Sequence, residues 1–206
     1  MRTNEKNAFV LGLTGSIACG KSTVAEYLKS MGAHIIDADA ISRALTAPGG
    51  AALPAIRAQF GEDVFHKDGT LNRAALANEI FGNVENRRRL EGILHPAVQS
   101  ETLRQMDEAR ADGAEVIVLD VPLLFETGMD ALCDGVWVIS VDRETQIGRV
   151  MQRDGKTREQ AEERIAAQMP LSEKERHADR VIRTDRPMED TRREVTQLYK
   201  ELLKRL

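Results

Sequence analysis

The chain predicts an α/β fold of three layers built on a core parallel sheet, on three observations. Short runs rich in Val and Ile recur at 9–13, 33–36, 116–119, 136–141 and 181–182, separated by amphipathic stretches. That alternation of strand and helix is how parallel sheets are built. The first run leads into Gly15-Ser16-Ile17-Ala18-Cys19-Gly20-Lys21-Ser22, which fits GxxxxGK[ST]. A later run, Val116-Ile117-Val118-Leu119, ends in Asp120, the pattern of a strand whose acid faces a magnesium shell. Together they specify a P-loop NTPase-type sandwich.

Each element has its own signal. A helix follows the phosphate loop from about Lys21 to Met31, with Gly32 as its stop. Between the strand ending at Ile36 and the one starting at Val116 lie about eighty residues of helical pattern, far more than a crossover of a dozen or so needs. This is read as an inserted helical lobe, about 41–112. Within it Asn72 is a candidate N-cap, and Pro96 suits the first turn of a helix running to about Asp112. Because His95 precedes a proline, it is expected to be extended.

A second insertion, about 143–176, is arginine-rich and helical and reads as a lid. Thr157 and Ser172 are its candidate caps, with Gln160 and Glu175 placed for capping boxes, and Pro170 is a helix breaker. The end of the chain, from Glu189, reads as an amphipathic helix packed by Val195, Leu198, Leu202 and Leu206. One domain over 1–206 is expected, its core formed by about 8–40, 113–142 and 178–206.

Composition narrows the partners. With 29 Lys and Arg against 33 Asp and Glu the net charge is −4, so nothing points to nucleic acid or an anionic membrane. No apolar run reaches membrane-spanning length, and the start, 1–7, is polar without a signal-peptide core, so the cytoplasm is the expected location. Two cysteines are too few for a disulfide framework or zinc site. Cys133 reads as a small core residue. Cys19 lies where a helix start and Lys21 can lower a thiol pKa, which makes oxidation there a means of blocking nucleotide binding; the alternative is an inert filler.

The motifs supply the parts that phosphoryl transfer requires. Gly15 and Gly20 let backbone amides turn toward phosphate oxygens, Lys21 adds a point charge, and the Ser22 hydroxyl is suited to Mg²⁺. Asp37 and Asp39 end a strand at the carboxyl edge, where an acid can accept a hydroxyl proton or hold metal-bound water, or simply cap the next helix. Asp120 is the second metal-side candidate. The continuation Val121-Pro122-Leu123-Leu124-Phe125-Glu126 offers apolar side chains either to an acceptor or to the core. Arg149 and Arg153, four apart, share a helix face from which they can reach β- and γ-phosphates. Arg87-Arg88-Arg89, interleaved with Glu85 and Glu91, reads as a solvated helix surface. A regulatory GTPase is disfavoured, because neither DxxG nor NKxD occurs. A kinase acting on another nucleoside or nucleotide, and an ATP-binding module without turnover, remain open from these motifs.

Taken together, Leu13 to Thr23, Ile36-Asp37-Ala38-Asp39, Leu90-Glu91-Gly92-Ile93-Leu94-His95-Pro96, Asp120-Val121-Pro122-Leu123-Leu124-Phe125-Glu126 and Ala178-Asp179-Arg180-Val181-Ile182 resemble the dephospho-coenzyme A kinases over nearly the whole chain. The resemblance implies transfer of the ATP γ-phosphoryl group, with Mg²⁺, to the ribose 3′-hydroxyl of dephospho-coenzyme A. It implies that Asp39 is the catalytic base and that Ala18, Cys19, Gly20, Lys21, Ser22 and Thr23 bind ATP. It also implies that Arg149 is a lid arginine near the phosphates, and that Asn72-Arg73, His95 and Pro96 line or support the coenzyme A lobe. Leu123 and Phe125, in the Asp120 to Glu126 segment, are the further candidates for the acceptor side. Three departures stand out. Ser16 and Ala18 replace customary glycines, so each is either reached without positive φ or strained. Cys19 stands where serine is common. Arg183-Thr184-Asp185 stands where Asp-Asn commonly follows the last strand, which alters the detail of adenine recognition.

Overall fold

The computed structural model describes residues 8–206, so the polar start lies outside the described residues. Along the chain these residues form β1 (Phe9–Gly15), α1 (Lys21–Ser30), β2 (His34–Asp37), α2 (Ala38–Leu45), α3 (Leu53–Phe60), α4 (Arg73–Ile80) and α5 (Val84–Ala111). There follow β3 (Val116–Asp120), β4 (Gly135–Ser140), α6 (Arg143–Asp154), α7 (Arg158–Ala166), α8 (Leu171–Arg176), β5 (Arg180–Arg183) and α9 (Met188–Leu203). The strands make one sheet in the order β2-β3-β1-β4-β5. β1 runs parallel to β3 and β4, and β4 runs parallel to β5. The parallel α/β class is as the sequence predicts.

β3 is buried at every position, which is why it reads as an unbroken apolar run rather than an alternating one. On one face of the sheet Leu11, Leu13, Val116, Val118, Trp137 and Ile139 meet Val24 and Leu28 of α1 and Val195 and Tyr199 of α9. On the other face β1 carries Gly12. A Cβ there would lie 2.8 Å from Cys133 Sγ and 2.9 Å from Leu124, so a side chain has no room. Two acids finish the strand starts. Asp134 Oδ2 accepts the Val10 N–H at 2.8 Å, and Asp179 Oδ2 accepts that of Val136 at 2.7 Å. The acid of the Ala178-Asp179 motif thus satisfies a strand amide that has no ladder partner.

The chain forms two compact units. One comprises residues 8–36 with Met106–Leu206, the other Asp37–Gln105. The second unit has its own core of Ala52, Ile56, Val64, Phe65 and Leu76. Arg57 lies over the Phe65 ring at 4.0 Å, Phe65 bridges Leu71, and Asn72 caps α4 by accepting the Ala75 N–H at 3.0 Å.

Two local expectations are corrected. Pro96 does not start a helix; it lies inside the 28-residue α5, and His95 is helical rather than extended. An internal proline costs about 3 kcal/mol, and the flanks outweigh it. Leu90, Ile93 and Leu94 pack on the helical unit's core, while Met106 and Ala109 beyond the proline are buried. Pro96 and Gly92, whose carbonyl loses its partner, are both exposed, so water can serve that carbonyl. Ser172 is likewise not a cap, since α8 starts at Leu171 behind Pro170. Thr157 and Gln160 do form the full capping box of α7.

Candidate active site

The strand register collects the chemistry at one edge of the sheet. Leu13 lies opposite Asp120 and Gly15 opposite Ile139, so β1 releases the loop at the carboxyl edge, beside the acid that ends β3. Ligands bind at that edge in open α/β sheets. Lys21, the first residue of α1, makes an ion pair with Asp120, and the two side chains are only 12% and 8% exposed.

Sterics set the shape of the loop. A Cβ on Gly15 would lie 2.5 Å from Cys19 Sγ and 2.7 Å from Ile139 O, so glycine is required there. Gly20 has φ 88°, which glycine adopts freely. Ala18 has φ 60° and is the one non-glycine residue with positive φ among the described residues. For a residue with a Cβ the left-handed region costs about 1–2 kcal/mol. Of the two departures from glycine, Ala18 is strained and Ser16 is not.

Ser16 is instead buried in a polar clamp. Gln146 Nε2 donates to Ser16 Oγ at 2.8 Å and to Ile17 O at 2.9 Å. Gln168 Oε1 accepts from Ile17 N at 2.8 Å and from Ser16 Oγ at 3.0 Å. Ile17 and Ala18 also pack on a small core of Ile147, Val150, Ala161 and Ile165 from α6 and α7. The loop is therefore held by both polar and apolar contacts from the second insertion.

The start of α1 is left open. Helices α2, α4, α6 and α7 are capped by the side chains of Asp37, Asn72, Asp142 and Thr157. α1 begins after Gly20 with no side-chain cap and no acid in its first turn. Its first amides and partial positive charge are thus offered to an anion, with Ser22 and Thr23 exposed beside them. Of the two sequence readings of Cys19, the geometry favours the inert filler. It is 1% exposed, and burial raises its thiol pKa despite the opposing amide and charge of Lys21. The activated thiol gives way to an inert one. Cys133 is pushed up to about 12, first by burial and then by Asp130 and Asp134.

Arg149 reaches the loop from α6. Its Nη1 lies 3.5 Å from Ala18 O and 3.0 Å from Thr184 Oγ1, and its Nη2 donates to Thr184 O at 2.7 Å. Arg153 does not join it; its guanidinium forks onto Asp154 at 2.8 and 3.0 Å, and Arg164 holds the same carboxylate at 2.6 Å. Beyond Asp120, Val121 and Leu124 are core, Leu123 is exposed, and Phe125 packs on His177 with ring centroids 5.4 Å apart. Glu126 is bound to Lys174, whose side chain is fully buried and whose Nζ also donates to Pro122 O at 2.6 Å. Met169 N donates to Glu126 Oε1 at 3.1 Å.

In the helical unit, Asp37 rather than Asp39 caps α2, accepting the Ala40 N–H at 2.9 Å. Asp39 lies in the first turn of α2, exposed, with its carboxylate in no hydrogen bond or ion pair among the described residues. Arg73 Nη2 donates to Thr46 Oγ1 at 2.9 Å, and His95 and Pro96 are exposed on α5. Arg87 and Arg89 pair with Glu91 and Glu85 on the same helix, a solvated surface.

The sequence reading passed over Gln146, Gln168, Lys174 and Thr184. Lys174 sits in Ser172-Glu173-Lys174-Glu175-Arg176, which looks like a solvated charged turn. Only Thr184 carried a signal, as part of a departure from a family pattern. Among the described residues no group of three or more His, Cys, Asp or Glu is placed to hold a metal. The Ser22 hydroxyl and Asp120 carboxylate are hard oxygen donors, which suit Mg²⁺, an ion that keeps waters and phosphate oxygens as its other ligands.

A phosphate loop between β1 and α1, with its lysine on the acid that ends the neighbouring strand, defines a P-loop kinase. The fold is shared with a shikimate kinase from Acinetobacter baumannii solved with shikimate (16% identity, TM-score 0.55, 97% and 96% of the two chains). The family model for dephospho-CoA kinase matches residues 9–190, and the chain belongs to that family. Relatives named dephospho-CoA kinase include one from Symbiobacterium thermophilum, 49% identical over 90% of this chain and 78% of its own. Another, from Geobacter metallireducens, is 44% identical over 95% and 98%. Among solved structures, a protein from Thermus thermophilus matches at 33% identity and TM-score 0.81 over 95% and 98% of the chains. The dephospho-CoA kinase from Campylobacter jejuni matches at 31% and 0.64 over 96% and 97%. The protein is thus a phosphotransferase of the family that completes coenzyme A synthesis. No helix among the described residues is long and apolar enough to cross a membrane.

Proposed function

We propose that the chain works in the cytoplasm and moves the ATP γ-phosphoryl group to the ribose 3′-hydroxyl of dephospho-coenzyme A, with the residues above in distinct roles. The loop from Gly15 to Thr23 receives the triphosphate, because its amides and the uncapped start of α1 favour an anion. Lys21 exchanges its carboxylate partner for phosphate oxygens and follows charge onto the transferring group. Arg149 adds a second cation from α6, spreading charge that is largest in the transition state. Asp39 accepts or orients the acceptor's hydroxyl proton, a role suited to an exposed carboxylate with no other partner. Asn72 and Arg73, with His95, Pro96, Leu123 and Phe125, serve the acceptor. Ser22 and Asp120 would hold Mg²⁺, which when bound neutralises charge on the β- and γ-phosphates. Arg153, engaged with Asp154, is left out of the clamp.

The observation that carries this reading is the open α1 start, with no side-chain cap and no acid in its first turn, beside the Lys21–Asp120 pair. The test is a product assay with ATP, Mg²⁺ and dephospho-coenzyme A. Equal amounts of ADP and coenzyme A are expected. ADP without coenzyme A, or preference for another nucleoside acceptor, would refute the assignment.

A further inference from the structure

Thr184, the residue after β5, is 7% exposed and its hydroxyl meets three segments. Its Oγ1 donates to Cys19 O at 2.6 Å, lies 3.3 Å from Ser140 O at the end of β4, and accepts from Arg149 Nη1 at 3.0 Å. Its carbonyl accepts from Arg149 Nη2 at 2.7 Å, and its own N–H donates to Ser140 O at 2.9 Å. The residue is thus anchored to the sheet while it grips one guanidinium twice.

Two consequences follow from bonding geometry. A peptide is planar and trans, so its C=O and N–H point in opposite directions. The bond that draws the Cys19 carbonyl toward Thr184 therefore turns the Gly20 N–H away from it. Thr184 also backs the loop at that glycine, since a Cβ on Gly20 would lie 3.5 Å from Thr184 Cγ2. Arg149 meanwhile has five N–H donors, of which Thr184 engages only two, so others remain for phosphate oxygens.

We propose that Thr184 is a positioning residue for phosphoryl transfer, holding the Cys19–Gly20 peptide and the Arg149 guanidinium in one frame. The inference rests on the role given to Arg149 above. Thr184→Val keeps the branched shape and removes the hydroxyl; Thr184→Ser keeps the hydroxyl. kcat and KM for ATP, together with the thermal midpoint, are to be measured for both variants, alone and in an Arg149→Met background. The valine variant is expected to lose about tenfold in kcat/KM, the serine variant less than about threefold, and the valine step to shrink sharply once Arg149 is gone. Where the valine variant does not fold, Thr184→Ala carries the same cycle. A lowered midpoint with unchanged kinetics, or valine and methionine effects that simply add, overturns the proposal. If Arg149→Met alone leaves the kinetics unchanged, the role of Arg149 itself fails and this inference falls with it.

Discussion

The phosphate loop and the helical unit hold their candidate residues in opposite ways. Around the loop, Lys21 is paired, Ser16 and Ile17 are clamped by two glutamines, and Arg149 is held by Thr184. In the helical unit Asn72 and Arg73 are bonded to their own unit, but Asp39, His95 and Pro96 are exposed, and Asp39 has no hydrogen-bond partner among the described residues. A triphosphate is recognised by backbone amides and point charges, which must be in place before it arrives. An acid that accepts a proton from an incoming hydroxyl has to be left free. Preorganisation and availability are thus divided between the two regions.

That contrast can be broken most directly at Lys21. Lys21→Ala removes a charge from the clamped region, and both ATP affinity and turnover should fall, turnover by about 10²–10³-fold. Calorimetric titration beside the product assay checks this, and retained activity would contradict the phosphate assignment. Asp39→Asn tests the other side: turnover should drop about 10²-fold while ATP affinity holds and unfolding stability falls by no more than about 1 kcal/mol, the worth of an acid in the first turn of α2. Near-normal turnover removes Asp39 from the chemistry.

Two stability measurements sharpen the comparison. Lys174→Met removes the cation from Glu126 and one donor from the Pro122 carbonyl, leaving them the Met169 amide and the Thr14 hydroxyl, and denaturant unfolding should show a loss of about 2–3 kcal/mol. A change under about 0.5 kcal/mol would mean the buried pair contributes nothing net. Ala18→Gly relieves the left-handed backbone and should stabilise the protein by about 1 kcal/mol, less the greater freedom glycine adds to the unfolded chain. A destabilised Ala18→Gly protein would show that the apolar seat of the methyl outweighs the strain.

Elements whose signal is local were legible in the sequence. The Val- and Ile-rich runs gave the strands, and the two loop glycines with Lys21 gave the loop that the sheet register places beside Asp120. What the sequence concealed depends on tertiary packing. Pro96 looks like a helix start because its local rule is strong, yet burial on both sides carries α5 through it. Gln146, Gln168 and Lys174 look like ordinary surface residues, since nothing within a few positions reveals the partners they meet across 129, 151 or 48 residues of chain. Cys19 was left between two readings for the same reason: the adjacent lysine is visible in sequence, and the burial that decides for the inert thiol is not.

The sealed sulfur of Cys19 has a consequence for how this enzyme meets oxidants. Peroxides and disulfides react with thiolates, and burial raises the pKa of both cysteines, which disfavours the thiolate. In a family whose end product is itself a thiol, the phosphate loop thus presents that product's disulfides with a buried thiol rather than an exposed thiolate.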